Sequence, residues 1–305
     1  MTFEQADMGG ADVPALRACL LDGTQSLAMR FRALFTLKSV NSEAAVRAIE
    51  AAFDEQASAL LNHELAYVLG QMKNSAAIPK LSQVLSSAGH CAMTRHEAAE
   101  ALGAIQDPAS LKILRYYVDP ENEAEEVVRQ TCELAIRKIE TSGQDGMLDG
   151  QGPYTSIDPA PPTNGYDKMD TEELGRQMMD RSLSLFDRYR AMFALRNQGS
   201  REAVLQLANG FQDSSALFRH EIAYIFGQMQ HEASVPSLVA TLSRDGECDM
   251  VRHECAEALG SVASDECLET LKSYLKDQDQ VVRESCEIGL DMLEYERSGE
   301  LQYTM

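Results

Sequence analysis

Tryptophan is absent from this 305-residue sequence, and aromatic residues together make up only 6% of it. Sheets draw on aromatic and β-branched side chains, so this scarcity, beside plentiful Ala, Leu and Glu, tilts the expectation towards helix. No apolar run approaches the roughly 18 residues that a bilayer crossing demands, so no membrane association is expected. The opening stretch MTFEQADMGGADVPAL has neither a basic region nor an apolar one, so no secretory signal is expected and a cytoplasmic location is the default. Cysteine is present but unpaired in pattern: there are seven, none in a C-x-x-C arrangement, and Cys132, Cys255 and Cys286 share one small-residue position of repeated segments. A disulfide framework and a zinc–thiolate site are therefore not expected; buried thiols in a reducing compartment are. Positive charge is also short, with 27 Lys and Arg against 48 Asp and Glu for a net charge of −21. Such a surface repels phosphate, which argues against nucleic acid and favours a basic protein or a cationic small molecule as partner.

What the sequence does have is repetition. His63–Met72 reads HELAYVLGQM and His220–Met229 reads HEIAYIFGQM; Arg95–Gly103 reads RHEAAEALG and Arg252–Gly260 reads RHECAEALG. Both matches share one offset of 157 residues, so the chain is a duplication. A shorter period of 31 to 34 residues lies within each half, visible in segments that begin RFRALFTL at Arg30, RHEAAEAL at Arg95, RYRAMFAL at Arg188 and RHECAEAL at Arg252. Apolar positions recur at steps of three and four in each segment, and a second short amphipathic stretch precedes it, as in AAIPKLSQVL at Ala76–Leu85. Two helices per period of this length predict an all-α fold, an α-solenoid whose helix pairs bury their apolar faces only against neighbours. The pattern resembles HEAT repeats, eight in all and four per half. Residues 141–170 hold five glycines and four prolines, which predicts a flexible linker between an N-terminal repeat domain (1–140) and a C-terminal one (171–305). Residues 1–11 and the tail after Glu296 are expected to fray. The recurring arginines, Arg30, Arg95, Arg129, Arg188, Arg219, Arg252 and Arg283, are expected to form a ladder with neighbouring acids.

Four of the six histidines are followed directly by glutamate at one repeat position: His63-Glu64, His96-Glu97, His220-Glu221 and His253-Glu254. The outer repeats serve as an internal control, carrying Phe31-Arg32, Gln130-Thr131, Tyr189-Arg190 and Glu284-Ser285 there. Helix stability does not ask for histidine, so the inner pairs point to a ligand. Equivalent positions on stacked helices lie about 8–10 Å apart, which lets His63 and His96 converge on one cation and His220 and His253 on another. Four imidazoles and four carboxylates without thiolate suit iron, manganese or zinc. Eight candidate ligands exceed one octahedral shell, so two ions between the halves fit better than one. The spacing is not that of the H-E-x-x-H zinc proteases, because Ala66 and Tyr67 stand where a second histidine would be needed.

Four His-Glu pairs on eight HEAT-like repeats, split by a Gly/Pro-rich linker, resemble the deoxyhypusine hydroxylase family over essentially the whole chain. That resemblance implies a monooxygenase with two iron ions, Fe2+ in the resting form that reacts, between two HEAT domains. It further implies dioxygen as co-substrate and the deoxyhypusine side chain of translation initiation factor 5A as the group hydroxylated to hypusine. Carried onto this chain, His63, His96, His220 and His253 with Glu97 and Glu254 would ligate iron. Glu64 and Glu221 would join the metal site or hold the cationic amine of the substrate, the second role being the one favoured here. The chain is expected to act as a monomer. The competing expectations are a zinc or manganese metallohydrolase on the same ligands and a non-catalytic HEAT adaptor.

Overall fold

The structure, a computed structural model, describes residues 12–142 and 152–298. The expected frayed ends at 1–11 and 299–305, and positions 143–151 of the expected linker, lie outside the described residues. Among the described residues there are sixteen α-helices and no strand. They come as eight successive pairs. In the first half these are α1 (Val13–Leu21) with α2 (Leu27–Val40), α3 (Glu43–Glu50) with α4 (Ala59–Gln71), α5 (Ile78–Ser86) with α6 (Ala92–Ile105), and α7 (Leu111–Tyr117) with α8 (Glu126–Thr141). The second half repeats the scheme with α9 (Thr171–Met179) and α10 (Leu185–Gln198), α11 (Arg201–Ala208) and α12 (Ala216–Met229), α13 (Val235–Leu242) and α14 (Asp249–Val262), and α15 (Asp265–Tyr274) and α16 (Gln280–Ser298). The all-helical repeat architecture read from the periodicity is the one observed.

Local chemistry fixes the ends of these helices. The hydroxyls of Ser26, Ser42, Ser58, Ser184, Ser200, Ser215 and Ser264 accept from backbone N–H groups of the first turn that would otherwise lack a partner. Prolines at positions 79, 108 and 236 sit in first helical turns, where their missing N–H costs nothing. The repeated arginines tie each pair together. The Nε groups of Arg30, Arg95, Arg188 and Arg252 each donate to the carbonyl oxygen ten residues earlier, at or just before the end of the preceding helix. The same guanidinium groups of Arg95, Arg188 and Arg252 reach forward to Glu123, Asp213 and Asp277, and Arg219 reaches Glu247. The expected pairing with acids holds for these four arginines, whereas Arg30, Arg129 and Arg283 donate to backbone carbonyls.

The second helices of successive pairs stack directly, α4 on α6 on α8 and α12 on α14 on α16. Glycine sets how closely. Seven residues beyond each motif histidine, two turns along the same face, stand Gly70, Gly103, Gly227 and Gly260. A Cβ added at Gly70 would lie 2.7 Å from the Cα of Ala101, and one at Gly260 only 2.5 Å from the carbonyl oxygen of Gly289. Backbones can approach this closely only without that atom, and the approach draws the histidine rows of adjacent helices together.

Each half has its own core, but each also lends a residue to the other. Leu134 of α8 packs within the core of the second half, and Ile288 of α16 within that of the first. Polar contacts repeat the exchange. Ser58 Oγ donates to Glu284 Oε2 at 2.5 Å, and Ser215 Oγ donates to Gln130 Oε1 at 2.6 Å. Thus the position that holds histidine in the inner repeats holds, in each terminal repeat, the residue that ties that repeat to the opposite half. Arg32 and Asp291 add an ion pair at 2.5 Å on the α2–α16 side.

Residues 152–170 of the expected linker lie against both halves. Ile157 exchanges two hydrogen bonds with the Gln71 amide (2.9 and 3.2 Å), Gln228 donates to Ser156 Oγ at 2.8 Å, and Ala160 is fully buried. Asp158 receives a two-pronged ion pair from Arg196 at 2.8 and 2.6 Å.

Candidate metal centre

Helices α4, α6, α12 and α14 bring the four motif histidines to one place. Ring centroids are 5.6 Å apart for His63 and His96 and 5.3 Å for His220 and His253. Across the halves, the rings are equally close: 5.1 Å for His63–His253, 5.4 Å for His96–His220 and 5.9 Å for His63–His220. The four rings form one cluster with contacts in both directions, rather than two separate couples. His96 and His253 are wholly buried, and His63 and His220 nearly so.

The ring nitrogens of this cluster lack hydrogen-bond partners. Neither ring nitrogen of any of the four histidines makes a hydrogen bond, and Glu221 Oε1 is likewise buried without one. An orphaned buried polar atom costs about 1–3 kcal/mol, and nine of them converge here. Ligand atoms of His63, His96 and Glu97 all lie within 4.8 Å of one another, as do those of His63, His220 and His253, and those of His253, Glu254 and Glu257. His63 Nε2 stands 3.2 Å from Glu97 Oε2, and His220 Nε2 3.4 Å from Glu254 Oε2. In both halves the carboxylate thus comes from the next repeat to meet the histidine of the previous one. Glu64 and Glu221 fall outside these groups; Glu64 Oε2 comes no nearer than 4.0 Å to His63 Nδ1.

Electrostatics point the same way. Burial, reinforced by the neighbouring rings, pushes His96 and His253 well below the ordinary imidazole value, and burial together with His63 takes His220 down to about 3. For His63 burial opposes protonation, yet Glu97, Glu254 and Glu257 outweigh it and hold the ring above its usual range. Burial raises Glu64, Glu221 and Glu254 well above the ordinary carboxylate value, with Glu257 the next contributor for Glu64 and Glu254 and Asp158 for Glu221. Carboxylates unwilling to ionise beside three imidazoles unwilling to protonate form a site short of positive charge. A divalent cation would let the carboxylates ionise, keep the imidazoles neutral and satisfy the orphaned nitrogens. The residues present therefore fit a metal centre of oxygen and nitrogen ligands, and the absence of thiolate suits the iron, manganese or zinc class.

Several groups here have no place in the His-Glu pattern. Four residues after each motif histidine, one turn along the same face, stand Tyr67, Glu100, Tyr224 and Glu257. The two tyrosines meet across the halves with their hydroxyl oxygens 3.1 Å apart, and Gln228 donates to Tyr224 at 3.0 Å. Glu257 Oε1 lies 3.6 Å from His253 Nδ1 and accepts from Ser285 Oγ at 3.1 Å. The four-residue step was the signal that could have found them, since each recurs at the offset of 157. Lys38, beside Glu64 and over the Tyr67 ring at 5.4 Å, and Arg196, whose charge acts on Glu221, carry no such signal.

Comparison with known proteins bears on the assignment. HEAT repeats match residues 55–137 and 205–291, and a PBS lyase HEAT-like repeat matches residues 187–213. The chain is 52% identical to a deoxyhypusine hydroxylase of Danio rerio over 96% of its own length and 95% of the relative's. It is 51% identical to that of Homo sapiens over 96% and 94% of the two chains. The solved structure of human deoxyhypusine hydroxylase in complex with glycerol superposes with a TM-score of 0.88 at 51% identity, covering 93% of this chain and 96% of the other.

Proposed function

The chain belongs to the deoxyhypusine hydroxylase family, and from that premise we propose that it hydroxylates the deoxyhypusine side chain of translation initiation factor 5A to hypusine. Dioxygen is the oxidant, and two iron ions, resting as Fe2+, are the resident cofactor. The observation that carries this reading is the cluster of four buried imidazoles whose eight nitrogens make no hydrogen bond in the protein. His63, His96 and Glu97 would hold one ion, and His220, His253 and Glu254 the other. Bound iron supplies the oxidising power that an unactivated C–H bond requires and no amino-acid side chain has.

The remaining steps belong to the chain's own residues. Deoxyhypusine is a long polyamine-like side chain, so its recognition needs anions at a spacing from the reacting carbon. Glu64 and Glu221 provide them, flanking the cluster without joining the ligand groups. A substrate ammonium also removes the reason their carboxyls resist ionisation, so binding and deprotonation are linked. The Tyr67–Tyr224 contact spans the junction of the halves close to these carboxyls. The net charge of −21 attracts a basic loop around the modified lysine and speeds encounter. No helix of the described residues is long and apolar enough to cross a membrane, and the reading places a monomer in the cytosol.

Elemental analysis of freshly purified protein tests the cofactor, with about two irons per chain expected from three protein ligands to each ion. Zinc or manganese in their place redirects the reading to a metallohydrolase; no metal at all leaves a HEAT adaptor. E64Q and E221Q are expected to weaken binding of a deoxyhypusine peptide while keeping their iron. Equal loss of iron in both variants refutes the amine-binding role.

A further inference from the structure

The two ends of the cluster derive from one ancestral repeat, yet they are not built alike. Glu257 and Glu100 occupy the same place, four residues after His253 and His96 and on the same helical face. Glu257 turns towards its histidine, with Oε1 3.6 Å from a Nδ1 that is fully buried and otherwise partnerless. Glu100 does not: His96 forms no ion pair among the described residues, and Glu100 instead lines a small cavity with Thr131, Lys138 and Asp158.

One substitution between the repeats accounts for the difference. On α16, Ser285 donates its hydroxyl to Glu257 Oε1 at 3.1 Å and aims the carboxylate at the ring. On α8 the corresponding residue is Thr131, whose hydroxyl donates instead to the Val127 carbonyl one turn back, at 2.9 Å. Threonine commonly turns its hydroxyl to its own helix in this way. Glu100 is thereby left without the anchor that holds Glu257. The other nitrogen of His253, Nε2, faces Glu254 at 4.0 Å, so the ring presents Nε2 to the ligand group and Nδ1 to Glu257.

We propose that Glu257, aimed by Ser285, is a positioning residue that fixes the tautomer and orientation of His253, so that the His220–His253–Glu254 end of the centre holds its metal ion more tightly than the His63–His96–Glu97 end. A carboxylate accepting from the far nitrogen of a ligating imidazole makes that ligand more basic and removes its rotational freedom, and losing such a partner costs about 10–100-fold in metal affinity. The gap of 3.6 Å exceeds a hydrogen bond and closes with a small turn of the ring once Nε2 is engaged. The inference rests on the metal reading given above.

Titration of the metal-depleted full chain with Co2+, followed by visible absorption and by calorimetry, separates the possibilities. Wild-type protein is expected to bind two ions in two resolved steps. E257Q weakens the tighter step about 10–100-fold, and S285A weakens it less, while both retain two ions at saturation. E100Q leaves both steps within about threefold of wild type, because Glu100 holds no ring. Equal weakening by E100Q and E257Q, an unchanged tight step in E257Q, or saturation of E257Q at one ion each overturns the proposal; the last would make Glu257 a ligand. A wild-type chain that takes up no Co2+ defeats the metal reading itself, which keeps the two failures apart. Circular dichroism of each metal-depleted variant checks that the helices persist.

Discussion

Gly70 and Gly227 occupy equivalent places in the two halves, and replacing each by alanine is expected to give opposite results. At Gly70 the new Cβ meets the Cα of Ala101 at 2.7 Å and its Cβ at 2.9 Å, both fixed to the backbone of α6. Ordinary contact begins at 3.4 Å, so α4 and α6 must separate by about 0.7 Å at this crossing. Overpacking of this kind costs about 1–3 kcal/mol, and the better helix propensity of alanine returns about 1; with both contacting atoms fixed to the backbone the cost falls in the upper part of that range, about 2–3, and a net loss of about 1–2 remains. For a large chain that is a fall in Tm of about 2–8 °C. At Gly227 the added Cβ stops 3.3 Å from the Cα of Ala258, tight by only about 0.1 Å, and the propensity gain of about 1 kcal/mol prevails. Tm therefore rises by about 2–4 °C. Because α4 and α6 carry His63 and His96, G70A also loses metal, whereas G227A retains it. Thermal unfolding followed by circular dichroism, with metal content measured on the same samples, tests both effects. Shifts of the same sign and size in the two variants would refute the idea that close helix approach at Gly70 assembles the ligands.

Arg196 is almost fully buried, pairs with Asp158 through two prongs and lies over the rings of Tyr154 and Phe193 at 4.6 and 4.7 Å. R196A is expected to lose about 3–5 kcal/mol in chemical denaturation by stranding that carboxylate; R196A/D158N regains part of it, and a double variant no more stable than R196A contradicts this. H63A is expected to lose bound metal yet keep its helices when metal-free, since the outer repeats fold with Phe31, Gln130, Tyr189 and Glu284 at this position. A metal-free H63A with a strongly lowered denaturation midpoint would reveal a structural role instead. In metal-free protein His220 is held at about 3 in the fold against about 6.5 unfolded, so the unfolded chain takes up a proton that the fold refuses. The stability contributed by this group is whole above about 6.5 and lost as pH falls towards 3. The raised carboxyls act oppositely, losing stability as pH rises, so the informative quantity is the difference between H220N and wild type. That difference shifts in favour of H220N as pH is lowered from about 6.5; a difference independent of pH rules out the neutral buried ring.

The duplication, the eight repeats and the His-Glu pairs were legible because each imposes a period on the sequence, and periods survive without knowledge of contacts. Burial of a helix face demands apolar residues at steps of three and four, so the α-solenoid could be read directly. Partnering of the rings was less accessible. Spacing within a half suggested His63 with His96 and His220 with His253, whereas His63 lies nearer to His253 than to His96, because the angle between the halves has no counterpart in either period. Glu257 repeats Glu100 in sequence but not in contact, and only the Ser285–Thr131 difference on a neighbouring helix separates them. Among its described residues, 152–170, the Gly/Pro-rich stretch carries no long helix. Composition alone could not register that Gln71, Gln228 and Arg196 grip Ser156, Ile157 and Asp158, since those partners lie on distant helices.

Leu134 and Ile288 reach across to opposite cores, and Gln130 and Glu284 take hydrogen bonds from Ser215 and Ser58. Every half therefore bears both complementary edges of the joint, which is the requirement for two identical subunits to associate isologously about a two-fold axis. A half-length ancestor could have closed on itself as a homodimer with symmetric ligands. Fusing the copies freed them from identity: the place of Lys38 in the first half is taken by Arg196 in the second, and that of Thr131 by Ser285. Broken symmetry is what lets one end of such a centre specialise while the other stays as inherited.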